Sequence, residues 1–177
     1  MNFLVFIVCL VFSYLLGSIQ GSYISSRYIY NDIKVVSEWQ EYKTIHTFNK
    51  ERISVIIIDG VKILIPTLFL FLSAPLFSLE PRFAALLGGG SATLGHMYPF
   101  FRLGKGEAME AFMITALFVS LPSALISILI FCALFVVFGR KTIPFVVSVS
   151  AFPVVLIIFF RPTFEVGILS ILYSILI

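Results

Sequence analysis

The sequence predicts an all-α integral membrane helical bundle, with seven transmembrane segments (six as the alternative) and the N-terminus outside. Three observations lead there. The 177 residues are 60% hydrophobic and 12% charged, with a mean hydropathy of +1.09, which is more apolar surface than one soluble core buries. Successive apolar runs are separated by short basic or proline-bearing breaks and lack the two-residue alternation of a barrel, so helices must satisfy the backbone inside lipid. The bases sit in those breaks. They form no stripe interleaved with aromatics, so the net charge of +3 reads as a topology signal and not as a nucleic-acid surface.

The first apolar run, Asn2 to about Leu16, has no Lys or Arg before it, which argues for an uncleaved helix rather than a secretory signal; it is expected to extend to about Tyr23. Residues 25–52 form the one long polar segment, a cytoplasmic loop carrying Arg27, Lys34, Lys43, Lys50 and Arg52. The second span runs from Ile53 to about Leu79 and the third from Arg82 to about Phe101, followed by a cytoplasmic glycine-lysine turn at 102–107. Ala108 to Phe138 is long for one span, because at ~1.5 Å per residue it overshoots a hydrocarbon core of about 30 Å. Ser120-Leu121-Pro122 divides it into a short piece, Ala108 to Val119, and a fuller one, Ser123 to Phe138. Ile143 to Phe160 and Thr163 to Ile177 complete a single membrane domain.

The positive-inside rule discriminates between the two span counts. With seven spans, Arg27, Lys34, Lys43, Lys50, Arg52, Arg102, Lys105, Arg140 and Lys141 share one side and only Arg82 and Arg161 face the other, nine against two. With six, Arg140 and Lys141 cross over and Arg161 returns, giving eight against three. Both counts put the polar loop and the glycine-lysine turn in the cytoplasm. Cys9 and Cys132 lie within apolar runs with no CxxC and no paired histidine, so they read as lipid-facing or packed thiols.

Chemistry concentrates in the stretch from Leu94 to Glu107, which sets His96, Pro99, Arg102, Lys105 and three glycines in a chain that is otherwise mostly hydrocarbon. A Gly104-Lys105-Gly106 turn ahead of a helix offers backbone N–H groups, a positive dipole end and an ammonium, a combination suited to phosphate. It is not a Walker A loop, since Gly106 follows the lysine where Ser or Thr is required and Pro99 stands where Gly is required. The turn alone also fits a topogenic lysine. Asp59 and Lys62 lie three residues apart on one helix face and can pair, which lowers the cost of charge inside a membrane. Gly88-Gly89-Gly90-Ser91 suits close helix packing or a kink. Glu107 and Glu110 open a helix and favour its dipole, and His46 reads as a solvated loop residue.

Taken in order, Tyr14-Leu15-Leu16-Gly17-Ser18-Ile19, Asp32-Ile33-Lys34, Asp59-Gly60-Val61-Lys62, Gly95-His96-Met97-Tyr98-Pro99, Gly104-Lys105-Gly106 and Ser120-Leu121-Pro122 form a pattern over nearly the whole chain. It resembles the bacterial acyl-phosphate:glycerol-3-phosphate acyltransferase family, the PlsY type. The resemblance implies a seven-helix enzyme of the bacterial plasma (inner) membrane, multi-pass with its active face cytoplasmic. Such enzymes move an acyl chain from acyl phosphate to the 1-hydroxyl of glycerol 3-phosphate in phospholipid biosynthesis, with no metal and no cofactor. It implies catalytic roles for His96 and Lys105, and substrate binding by Gly104, Gly106, Arg102 and Thr44. The partners it implies are the two substrates and membrane lipids.

The match is uneven along the chain. The family's Phe-Lys/Arg-Gly-Gly-Lys-Gly loop corresponds to Phe101-Arg102-Leu103-Gly104-Lys105-Gly106, with Leu103 in place of one glycine and about three residues missing before it. Its Gly-Ser-Gly-Asn-x-Gly-x-Thr-Asn motif falls on Ser37 to Ile45, where only Thr44 matches and Glu38 and Glu41 would repel phosphate. Its Arg-His-x-x-Asn run would begin about where the sequence ends, at Ile177. Two readings therefore stand: an acyltransferase, or a non-catalytic membrane homologue that binds a phosphate, a phospholipid head group or a protein partner. A transporter is disfavoured, because inverted repeats and paired broken helices are lacking.

Overall fold

The computed structural model describes residues 2–24, 50–100 and 108–177. Among these residues it contains eight α-helices, one 3-10 turn and no strand. The helices are α1 (Asn2–Ser18), α2 (Gly21–Ile24), α3 (Lys50–Ser73), α4 (Pro81–Met97), α5 (Ala108–Val119), α6 (Leu121–Phe138), α7 (Thr142–Phe160) and α8 (Phe164–Leu176). Among the described residues, three stretches are long and apolar enough to cross a membrane: Ile53–Phe77, Leu121–Phe138 and Thr142–Phe160. Phe3–Ser18 and Phe164–Leu176 are apolar but shorter.

Helix ends follow local chemistry. Pro81 and Pro122 sit in the first turns of α4 and α6, where a missing N–H costs nothing. The Ser120 side chain accepts from the Ser123 N–H, so the expected division of the long apolar stretch falls at a true N-cap. Gly139 ends α6 in the left-handed conformation, φ 62°, with its N–H on the Phe135 carbonyl. The α3 helix continues through Pro66 and closes in a 3-10 turn at Ala74–Phe77, near the expected limit of about Leu79. One expectation fails: α1 was expected to reach about Tyr23, but it stops at Ser18 and the chain breaks at Ile19 and Gln20 before α2 begins at Gly21.

The packing axis is α4. It contacts α1, α3, α5 and α8, and it buries nine residues, all but Leu86, Thr93 and His96 being glycine or alanine. Small residues are what lets helix backbones meet in lipid, where no solvent drives them together. A Cβ on Gly17 would lie 2.0 Å from the Ala92 carbonyl oxygen, and one on Gly95 would lie 2.0 Å from that of Tyr14, so α1 and α4 cross backbone to backbone through reciprocal glycines. Gly88 gives the same access to Leu70 and Pro66 of α3. The Gly88–Ser91 run thus serves close packing, as its composition suggests.

Pairings along α4 fix the relative directions. The Ser91 hydroxyl donates to Leu10 and the Tyr14 hydroxyl to the Tyr98 carbonyl, so α1 runs parallel to α4. Gly88 meets Leu70 while His96 nears Asp59, so α3 is antiparallel. On α8, the Thr163 hydroxyl donates to the Glu80 carboxylate and Tyr173 meets Thr93, so α8 is parallel to α4. Phe112 fills the middle, edge-on to Phe152 at 5.5 Å and stacked on Tyr173 at 5.8 Å between ring centres.

Candidate functional site

The end of the bundle where α4 finishes collects the polar groups. The α4 helix stops at Met97 because Pro99 cannot continue it, and the Tyr98 N–H closes the last turn on the Leu94 carbonyl at 2.8 Å. His96 lies in that last turn and is only 3% exposed, so its imidazole faces protein. Its Nδ1 is 4.0 Å from the Asp59 carboxylate on α3, and Asp59 is 2.7 Å from Lys62 Nζ. The pairing expected from the three-residue spacing is therefore present.

Both members of that pair also reach the chain at the end of α1. Lys62 Nζ donates to the Ile19 carbonyl at 2.5 Å, and Asp59 Oδ1 accepts from the Gly21 N–H at 3.0 Å. Gly21 eases this approach, since a Cβ there would stand 2.7 Å from Asp59 Oδ1, displacing the carboxylate, and 3.0 Å from the Val55 carbonyl. Ile19 and Gly21 carry no sequence signal for such a role, because the partners stand some forty residues away.

Lys62 also borders an apolar groove of about 260 Å³. Leu16, Ile19 and Ile24 form one wall and Ile57, Ile58, Val61 and Ile65 the other. All seven are aliphatic in a chain holding 20 phenylalanines, so the groove presents hydrocarbon beside a charged group.

Of the residues singled out by sequence, the structure brings His96, Asp59 and Lys62 together. Lys105, Gly104, Gly106, Arg102 and Thr44 lie outside the described residues, as do Glu38 and Glu41. Among the described residues, no group of three or more His, Cys, Asp or Glu side chains is placed to hold a metal ion. Cys9 is half-buried and Cys132 exposed, both as free thiols. A second polar cluster went unread in the sequence: the Thr93 and Tyr173 hydroxyls meet at 2.9 Å, and a Cβ on Gly89 would fall between Thr67 and Thr115. Hydroxyls on four different helices thus converge at α4, a form of glue between helices.

The fold and the sequence can now be set against known proteins. The chain superposes on the crystal structure of PlsY (YgiH), an integral membrane glycerol 3-phosphate acyltransferase, in its glycerol 3-phosphate form. That match has a TM-score of 0.71 and 20% identity, over 97% of this chain and 85% of that one. The lysophosphatidic acid form of PlsY gives 0.72 and 19% over the same shares. No curated protein sequence matches the chain. The family model described as Glycerol-3-phosphate acyltransferase matches residues 7–177, and on that match the chain belongs to the glycerol-3-phosphate acyltransferase family, of the PlsY type.

Proposed function

We propose that this chain transfers an acyl group from acyl phosphate to glycerol 3-phosphate at the cytoplasmic face of a bacterial plasma membrane, feeding phospholipid synthesis. The observation that carries the reading is the sharing of Lys62 between two surfaces: the polar end built by His96 and Asp59, and the aliphatic groove that Lys62 borders. A substrate with a charged head and a hydrocarbon tail needs such a junction. In the transfer, a glycerol hydroxyl oxygen bonds to the acyl carbon, the bond from that carbon to the phosphate oxygen breaks, and the hydroxyl proton ends on the departing phosphate. The acyl group arrives activated, so the protein has to orient two anions and neutralise their charge. Lys105 and Arg102 supply the cations, Gly104 and Gly106 let the backbone approach phosphate, and Thr44 adds a hydroxyl. His96 holds a reacting polar group in line.

The proposed topology has seven spans, the N-terminus outside and the site inside. The parallel run of α8 and α4 supports it. Three further crossings after α4 would leave α8 antiparallel to α5 and parallel to α4, whereas a fused α5–α6 span would reverse α8. The short α5 can serve as a span because Ala111, Phe112, Thr115, Ala116 and Val119 are all buried against neighbours.

A second reading is favoured by one observation: Ser37 to Ile45 keeps only Thr44 of the family's cytoplasmic motif. In that reading the chain is a non-catalytic homologue that binds a phosphate or phospholipid head group. A transfer assay on detergent-purified protein, with palmitoyl phosphate and labelled glycerol 3-phosphate, separates the two. Formation of lysophosphatidic acid that drops at least a hundredfold in Lys105→Ala is the expected outcome. Absence of turnover by the folded natural protein would rule out the transferase reading.

A further inference from the structure

The Asp59–Lys62 pair does more than cancel two charges. The break at Ile19–Gln20 interrupts the helical ladder: the Ile19 N–H turns to the Leu16 carbonyl and the Ile24 N–H takes the Gln20 carbonyl, while the Ile19 carbonyl and the Gly21 N–H turn out of the ladder, beside a groove lined with hydrocarbon. Backbone groups left unsatisfied in an apolar setting cost several kcal/mol each, so an uncompensated break there would tend to close into continuous helix. Lys62 and Asp59 meet that demand from both sides: the ammonium takes the Ile19 carbonyl at 2.5 Å and the carboxylate takes the Gly21 N–H at 3.0 Å. The signs match, cation to C=O and anion to N–H. The 2.7 Å contact between the two side chains keeps them in register one turn apart on α3.

We infer that Asp59 and Lys62 are positioning residues that hold open the break between α1 and α2, and thereby set where α2 sits against α3. The inference stands apart from acyl transfer and needs no turnover to test. A pair that served only to neutralise charge would need its partner and nothing else. Here each member makes an additional bond to the backbone of the α1–α2 segment, Lys62 within the break itself and Asp59 at the first residue of α2, where the lack of a Cβ on Gly21 leaves room for the carboxylate.

The test compares two neutral double variants of the full chain in lipid nanodiscs by hydrogen–deuterium exchange. Asp59→Asn with Lys62→Gln keeps an acceptor for Gly21 and a donor for Ile19. Asp59→Leu with Lys62→Met keeps neither, yet leaves no charge stranded in the bilayer. The Leu/Met variant is expected to exchange the amides of residues 19–24 at least tenfold faster than the natural chain, with α4 peptides unchanged, and the Asn/Gln variant to stay within threefold. Natural protection in the Leu/Met variant would overturn the inference, as would equal loss in both variants. Gly21→Ala guards against a Leu/Met variant that does not fold. It retains both charges but crowds the carboxylate off the amide, and it should show the same local loss with α4 protection intact. Unaltered exchange at 19–24 in Gly21→Ala would also overturn it.

Discussion

Helices α4 and α6 are nearly equal in length and both are apolar, yet they do opposite jobs. The α4 helix buries nine of its 17 residues and touches four other helices, while α6 buries only Ser123, Ala124 and Ser127 of its 18. Across the spans the same contrast holds: 17% of the Leu121–Phe138 window is buried, against 33% and 39% in the other two candidate spans. The difference lies in side-chain size. On α4, glycine and alanine let neighbours close onto the backbone, whereas α6 is covered by Leu, Ile, Val and Phe, which suit lipid tails as well as they suit protein. In a bilayer, where apolar area gains nothing by turning inward, smallness and not greasiness marks the centre of a bundle.

The sharpest way to break the comparison is Gly95→Ala. Its Cβ would overlap the Tyr14 carbonyl, so α1 and α4 must part; the expected loss is about 3 kcal/mol in reversible unfolding from mixed micelles, at the upper end for an overpacked site. Stability equal to that of the natural protein would show that the reciprocal glycines do not hold the two helices. Tyr173→Phe asks less of α4. It removes the hydroxyl paired with Thr93, whose own bond to the Gly89 carbonyl survives, and should cost about 0.6 kcal/mol by the same measurement, the average found for polar contacts between spans. The smallest effect belongs to α6. Leu129 is 68% exposed, so Leu129→Ala should fall within about 0.5 kcal/mol of the natural chain. A cost of 2 kcal/mol or more there would mean that something covers this face of α6, and the contrast between the two helices would fail.

How much of this was legible depended on how far apart the interacting residues stand. The break at Ser120-Leu121-Pro122 could be read because its causes, a capping serine and a proline, are local. The break after Ser18 could not. No proline stands near Ile19, and the groups that satisfy its backbone come from Asp59 and Lys62, so continuous helix to about Tyr23 was the locally consistent expectation. The same rule divides the site. The three-residue spacing of Asp59 and Lys62 announced their pairing, and the Gly-His-x-x-Pro block announced His96, but neither announced that they would meet. Thr93 and Tyr173, eighty residues apart, carry no pattern that pairs them.

The reciprocal fit of α1 and α4 bears on how the chain is assembled. The α1 helix is made before its main partner, a helix that begins at Pro81, with α3 made in between. At roughly 5–20 residues per second, α1 therefore waits several seconds for the backbone-to-backbone surface of α4, with only α3 to pack against until then. During that wait it has 17 residues, somewhat fewer than the roughly 20 that cross a bilayer comfortably, and its Tyr14 and Ser91 contacts are not yet available. The α4 helix is thus the packing axis of the finished molecule and the later of two helices that pack on α1, after α3, whose Lys62 and Asp59 reach the chain just past Ser18. Changes that delay its insertion should expose α1 to membrane quality-control proteases without altering any contact in the mature fold.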